Sequence, residues 1–240
     1  MTRANGVNTI YTSGKYLEAT QTWHAEDSSW KAAQINTIIM KNGIRPSHIA
    51  EIGCGAGAVL DELSRKDNLC KAQFEGYDIS PQAIELAKRL ESGKVKFFCQ
   101  DLLAEASTHH VDILLAIDIY EHVPDYMGFL AQCKTRAVHK IYHIPLDIHV
   151  SSVLRNAFLN NRYTLGHLHY FTAESAIATL KDTGHEIVDC YYTNPAIELF
   201  KEHVSVRRAI ANVPRYLCSK LSVPLAARVF GGYSLLVLAK

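Results

Sequence analysis

Short apolar runs alternate with segments of helical period along most of the chain. Asp27 or Ser28 can cap a helix that runs to about Asn42 and ends at Gly43, with Trp30, Ala33, Ile38 and Ile39 among its apolar residues. The run from His48 to Ile52 reads as a buried strand that leads straight into a glycine cluster, and Ala58 to about Lys66 reads as the helix after it. Ala72 to Asp78 is a second strand. Ser80-Pro81 then supplies a cap and a proline at the first helical position, followed by Ala83, Ile84, Leu86, Ala87 and Leu90 at helical spacing. The pattern predicts further strands at Val95–Cys99, Val111–Ile117, His139–Ile144, Glu186–Tyr192 and Tyr233–Ala239. Helices are predicted over Tyr126–Ala137 and Thr172–Asp182, and Pro214 and Pro224 divide residues 194–230 into short helices.

Strands that alternate with helices imply an α/β fold, with a parallel sheet covered on both faces. Ligands of such sheets bind beyond the carboxyl ends of the strands. Composition narrows the function. Apolar residues make up 48% of the 240 and charged residues 20%, which suits one globular domain. The net charge of +1 supplies no global field for gripping nucleic acid. Six cysteines without a CxxC pair fit reduced thiols in a cytoplasmic protein. The first residues lack the apolar core of a signal peptide, and no window approaches the ~18 apolar residues of a membrane span.

The chemistry concentrates after the strands. Glu51-Ile52-Gly53-Cys54-Gly55-Ala56-Gly57 puts three glycines directly behind the first strand, where the backbone can approach a ligand closely. Asp78 ends the second strand and can accept both hydroxyls of a ribose. Gly53, Gly55 and Ala58 also satisfy a dinucleotide pattern, so the glycines alone do not choose the ligand. Glu51, Asp101 and Asp118 do: several acids around one cleft suit a cationic ligand and repel a pyrophosphate.

With these residues the chain resembles the class I S-adenosylmethionine-dependent methyltransferases, small-molecule type. The matching pieces are Glu51 to Gly57, Tyr77-Asp78-Ile79-Ser80, Cys99-Gln100-Asp101-Leu102 and Asp118-Ile119-Tyr120-Glu121-His122-Val123-Pro124-Asp125, over about residues 48–192 plus the last strand. The resemblance implies a Rossmann-like, doubly wound, seven-stranded sheet whose last strand is antiparallel. It implies S-adenosylmethionine as cofactor. Glu51, Gly53, Cys54, Gly55 and Gly57 would hold its methionine part, Asp78 and Ile79 the ribose, Asp101 and Leu102 the adenine, and Asp118 the cationic side of the cleft. The acceptor pocket would lie over the fourth and fifth strands, among Tyr120, Glu121, His122, His143, Asp147 and His149, with His167 and His169 arriving later in the chain. His143, His167, His169 and Tyr120 are the catalytic candidates, since removing a proton from a hydroxyl needs a base. Asp118, Glu121 and His122 also resemble the E-x-x-E-H arrangement of some quinone O-methyltransferases, with Asp first. An acid and a turn without an ion is the favoured reading there, so no metal is assigned.

Residues 1–45, with Tyr11, Tyr16, Trp23, His24 and Trp30, read either as a lid over the cofactor or as a helix pinned to the sheet. Residues 194–230 form an insertion before the last strand, with a local charge excess of +4. That excess fits an anionic acceptor such as a glycan precursor, a peripheral membrane contact, or an ordinary solvated face. The function expected is methyl transfer to an O or N atom of a small molecule. The alternatives are a nicotinamide-dependent oxidoreductase using the same glycines, and a non-catalytic nucleoside-binding module.

Overall fold

The computed structural model describes residues 27–104, 110–199 and 206–240. Tyr11, Tyr16, Trp23 and His24 of the expected lid lie outside them. Helix α1 (Ser28–Lys41) buries Ser28, Ala32, Ile35, Ile38 and Ile39, a stripe at helical spacing, and ends before Gly43 at φ +64°. Next come β1 (His48–Ile52), α2 (Ala58–Ser64), β2 (Gln73–Asp78), α3 (Pro81–Ala87), β3 (Val95–Cys99) and β4 (Val111–Ile117). Ser80 caps α3 and Pro81 occupies its first turn. A one-turn 3₁₀ helix (Tyr120–His122) leads to α4 (Tyr126–Lys134) and β5 (Ala137–Pro145).

Two helices with no sequence expectation follow, α5 (Val150–Leu154) and α6 (Ala157–Thr164). His149 caps α5 by accepting from the Ser152 amide, while the Ser152 hydroxyl takes the His149 amide. Then come α7 (Ala173–Asp182), β6 (Ile187–Thr193), α8 (Pro195–Glu198), α9 (Val206–Leu221), α10 (Val223–Phe230) and β7 (Ser234–Ala239). Pro224 starts α10 as expected, but Pro214 sits inside α9 and does not divide it. Proline forfeits one helical hydrogen bond, to the carbonyl of Ile210. Pro214 and Ile210 are both exposed, so water can solvate that carbonyl.

The sheet order is β3-β2-β1-β4-β5-β7-β6. Every pairing is parallel except those of β7, which runs antiparallel to both β5 and β6. This is the Rossmann-like seven-stranded sheet that the resemblance implies. Alternate strand residues feed two cores. Ala50, Ile52, Leu114, Tyr142 and Val237 pack under α4, α7 and α10. Ile49, Ile113, Leu115, Ile141 and Leu238 pack under α1, α2 and α3. Central strands covered on both sides are largely apolar, which is why β4 reads as an apolar run from Ile113 to Ile117. The six cysteines are free. Among the described residues, no helix is long and apolar enough to cross a membrane.

Candidate active site

The carboxyl ends of β1 to β4 open into one cavity of about 570 Å³. Glu51, Gly53, Cys54, Gly55, Asp78, Ile79, Asp101 and Asp118 all line it, as do His122, Asp125 and Lys31. Gly53 has φ +69°, and a Cβ there would lie 2.0 Å from Ile119 Cδ1. Only glycine fits that position. The amides of Gly53 and Cys54 donate to the Tyr77 carbonyl at 2.7 and 3.1 Å, which folds the loop across β2. Gly57 does not line the cavity. It takes φ +79° to start α2, against Phe97.

Asp78 accepts from the Gly55 amide at 2.9 Å and the Ser80 amide at 2.8 Å, so loop and strand end hold the carboxylate in place. Burial raises its pKa, and these backbone donors oppose the rise. Asp101 accepts from the Leu103 amide at 2.9 Å. That turn sends Leu102 into the core, 2% exposed, and Leu103 toward the cavity. The apolar wall beside Asp101 is therefore Leu103, one residue beyond the one expected.

The deep acidic group has a partner that the sequence reading missed. Lys31 Nζ lies 2.9 Å from Asp118 Oδ2. His143 Nδ1 lies 2.6 Å from Asp118 Oδ1, and His143 Nε2 is 3.0 Å from Thr193 Oγ1. Asp118 itself sits at φ +51°, with its amide donating to the His143 carbonyl. Burial would raise its carboxyl, but His143 and Lys31 together hold it well below the usual range. Glu51 is 2% exposed, and its Oε2 has no hydrogen-bond partner among the described residues. Burial pushes it up to about 8, although Lys31 pulls the other way. Lys31 was legible as an anomaly: it falls inside the buried stripe of α1, where a charge needs a partner.

The catalytic candidates fare unequally. Tyr120 is fully buried, packed against Tyr126, Tyr142 and Phe171, and does not line the cavity. Neither does His143, whose two ring nitrogens are both engaged. His169 Nε2 meets the Val123 carbonyl at 3.0 Å and its ring packs on Tyr126. His167 Nδ1 meets Asp147 Oδ2 at 2.5 Å, and its ring stands edge-on to His122 at 4.9 Å between centroids. His122, set aside from the base candidates, is the histidine that faces the cavity. Its Nδ1 lies 3.0 Å from the Gly166 carbonyl, which makes Nε2 the basic nitrogen. Burial, and then His167, lower His122 to about 4, so it is neutral at pH 7.

Glu121 is fully buried behind this pair, with neither carboxylate oxygen hydrogen-bonded among the described residues. Burial drives its pKa well up. Glu121, His122 and His167 bring one donor atom each within 4.8 Å of one another. Asp118, the first position of the E-x-x-E-H likeness, is committed to Lys31 and His143 instead. Trp30 does not line the cavity. Its indole donates to Glu198 at 2.7 Å and its edge meets His143, so it pins α1 to the sheet and α8.

A family model described as a methyltransferase domain matches residues 29–189. The chain belongs to the class I S-adenosylmethionine-dependent methyltransferases. Its relatives include ubiquinone biosynthesis O-methyltransferases. That of Vibrio cholerae serotype O1 is 27% identical over 126 residues, covering 48% of this chain and 50% of the relative. That of Nitrosospira multiformis is 28% identical over 130 residues, covering 50% and 53%. The chain thus spans about half the length of the curated relatives it matches. Two solved structures share the fold over nearly their whole length. Magnesium protoporphyrin IX methyltransferase from Synechocystis PCC 6803, with S-adenosylmethionine bound, superposes with a TM-score of 0.61 at 15% identity, covering 100% of this chain and 99% of that one. The plantazolicin methyltransferase BpumL, with S-adenosylhomocysteine bound, gives 0.60 at 16%, covering 98% and 93%. Family membership decides between the methyltransferase and oxidoreductase readings of the glycine loop in favour of the first.

Proposed function

We propose that this methyltransferase transfers a methyl group from S-adenosylmethionine to a hydroxyl oxygen of a small molecule, with His122, His167 and Asp147 as its proton-accepting relay. One observation carries the reading: a single cavity joins the glycine loop and Asp78 at one end to His122, backed by His167 and Asp147, at the other. The donor site suits a zwitterionic nucleoside. The loop offers bare backbone, Glu51 presents an unpartnered buried oxygen, and Lys31 supplies the cation that would meet a carboxylate. S-adenosylmethionine supplies an electrophilic methyl carbon on a sulfonium.

The protein's own work is to hold both reactants in line, exclude water and accept the acceptor's proton. Neutral His122 has its lone pair on Nε2. Asp147 fixes the Nδ1–H tautomer of His167, whose ring stands edge-on behind His122. The hydroxyl acceptor is favoured by the two histidines and by the O-methyltransferase activity for which the relatives are named. An anionic acceptor draws no added support from Arg215, Lys220 or Arg228, which do not line the cavity.

Calorimetry with S-adenosylhomocysteine and with NADH tests the donor site. Tight binding of the first alone is expected, and tight binding of NADH alone overturns the proposal. Turnover with labelled S-adenosylmethionine across phenols, catechols, sugars and amines tests the acceptor. A product methylated only on nitrogen removes the hydroxyl assignment.

A further inference from the structure

Helices α5, α6, α9 and α10 form one layer. α5 and α6 leave the carboxyl end of β5, while α9 and α10 enter antiparallel β7 at that same end. Ser151 of α5 bonds the Phe230 carbonyl at the end of α10, which joins the two halves. This layer is inside out. On α9, Ile210, Val213, Leu217 and Leu221 recur at spacings of three, four and four, which puts them on one face, and all four are exposed. Leu221 is 88% exposed. The half-buried positions on the same helix include Asn212 and Arg215, which donate to carbonyls of Ala196, Phe230 and Gly231. On α5 the buried residue is Ser152, while Val150, Val153 and Leu154 (81% exposed) face out. On α6, Leu159 and Tyr163 (81% exposed) lie four apart on one face. A helix in a soluble protein turns its apolar stripe inward; these turn it outward.

The charge on this layer has one sign. Residues 148–173 and 206–230 contain seven Arg and Lys and no Asp or Glu, on a chain whose net charge is +1. Arg155, Arg162, Lys220 and Arg228 are exposed, Arg228 pairing with Glu174 of α7. A second copy docked by two-fold symmetry would bring this positive face against itself, which like-charge repulsion disfavours. A surface of acyl chains beneath anionic headgroups complements both properties at once.

We infer that the α5–α6 and α9–α10 layer is a peripheral membrane-docking face for bilayers containing anionic phospholipid. The inference stands apart from the identity of the methyl acceptor, and its test uses neither cofactor nor acceptor. The full chain is sedimented with vesicles of phosphatidylcholine alone and with vesicles containing 30% phosphatidylglycerol. Binding to the anionic vesicles is expected, weakened by raising salt. The double variant L217E/L221E should bind at least about tenfold less, because two exposed leucines no longer enter the interface. Lys220→Glu should bind about fivefold less. Unchanged thermal unfolding of these surface variants shows that they fold. Equal binding by variant and wild type, or no binding to anionic vesicles, overturns the inference. So does a wild-type dimer, seen by light scattering, that the double variant breaks without any vesicle binding.

Discussion

On the β1–β3 side of the cavity the groups that matter stand at successive strand ends and are largely held by backbone. They are a loop of three glycines, the amides that clasp Asp78, and an acid at each strand end. On the β4–β5 side they are side chains gathered from far apart: Lys31 from the first helix, His122 after β4, Asp147 after β5 and His167 beyond α6. The first side is fixed by backbone hydrogen bonds between the glycine loop and the end of β2. The second depends on ion pairs and an edge-on ring contact, each of which one substitution can remove. A donor shared by many enzymes can be held by backbone, whereas the acceptor's chemistry has to come from side chains.

The sharpest way to break this contrast is His167→Ala. Turnover should fall by roughly 10² to 10⁴-fold, the usual range for a general base, with affinity for S-adenosylhomocysteine unchanged. Turnover at the wild-type level removes His167 from the relay. Lys31→Met tests whether α1 is held by charge. It leaves the half-buried Asp118 with His143 as its opposite partner among the described residues, and should lower stability by about 1 to 3 kcal/mol in urea denaturation. A variant as stable as wild type would show that packing alone seats α1. Asp78→Ala should weaken S-adenosylhomocysteine binding by about 1 to 3 kcal/mol while any residual chemistry keeps its pH profile. Unchanged affinity in calorimetry would take the ribose away from Asp78.

The pH dependence of stability sharpens the comparison further, because the two sides have opposite sign. Glu51 is raised by burial from 4.5 to about 8. The folded protein keeps a proton that the unfolded chain releases in that window. Its contribution is therefore complete below about pH 4.5 and is lost as the pH rises toward 8. His122 is lowered by burial from 6.5 to about 4. Here the unfolded chain binds the extra proton, so the contribution is present above pH 6.5 and lost as the pH falls toward 4. Urea denaturation at a series of pH values should show Glu51→Gln flattening the upper window and His122→Gln the lower. A wild-type curve unaffected by either variant would contradict both burials.

The strands and the donor loop were legible because periodicity and glycine spacing are local signals. Leu102 against Leu103 was not. Both are apolar, and only the Asx turn at Asp101 decides which one faces the cavity. The polar sequence of α6 has little helical period, and α5 depends on a histidine cap, so neither announces itself. Tyr120 and His143 drew attention by chemistry and proximity in sequence, but a strand end buries as readily as it exposes. His122 looked like a turn residue, and it is one: the turn is what aims it at the cavity. Lys31 alone broke a readable pattern.

The placement of β7 has a consequence for how the chain matures. Among the described residues β6 is an edge strand paired with β7 alone, and β7 is also what joins it to β5. During synthesis β6 is made more than 40 residues before that neighbour. Until residues 234–239 are made, β6 lacks the strand that pairs with it, whereas α7 can already pack on β4 and β5. The outer third of the molecule can then close only after translation has passed that point, by a strand insertion between two others, a long-range step of the kind that slows folding.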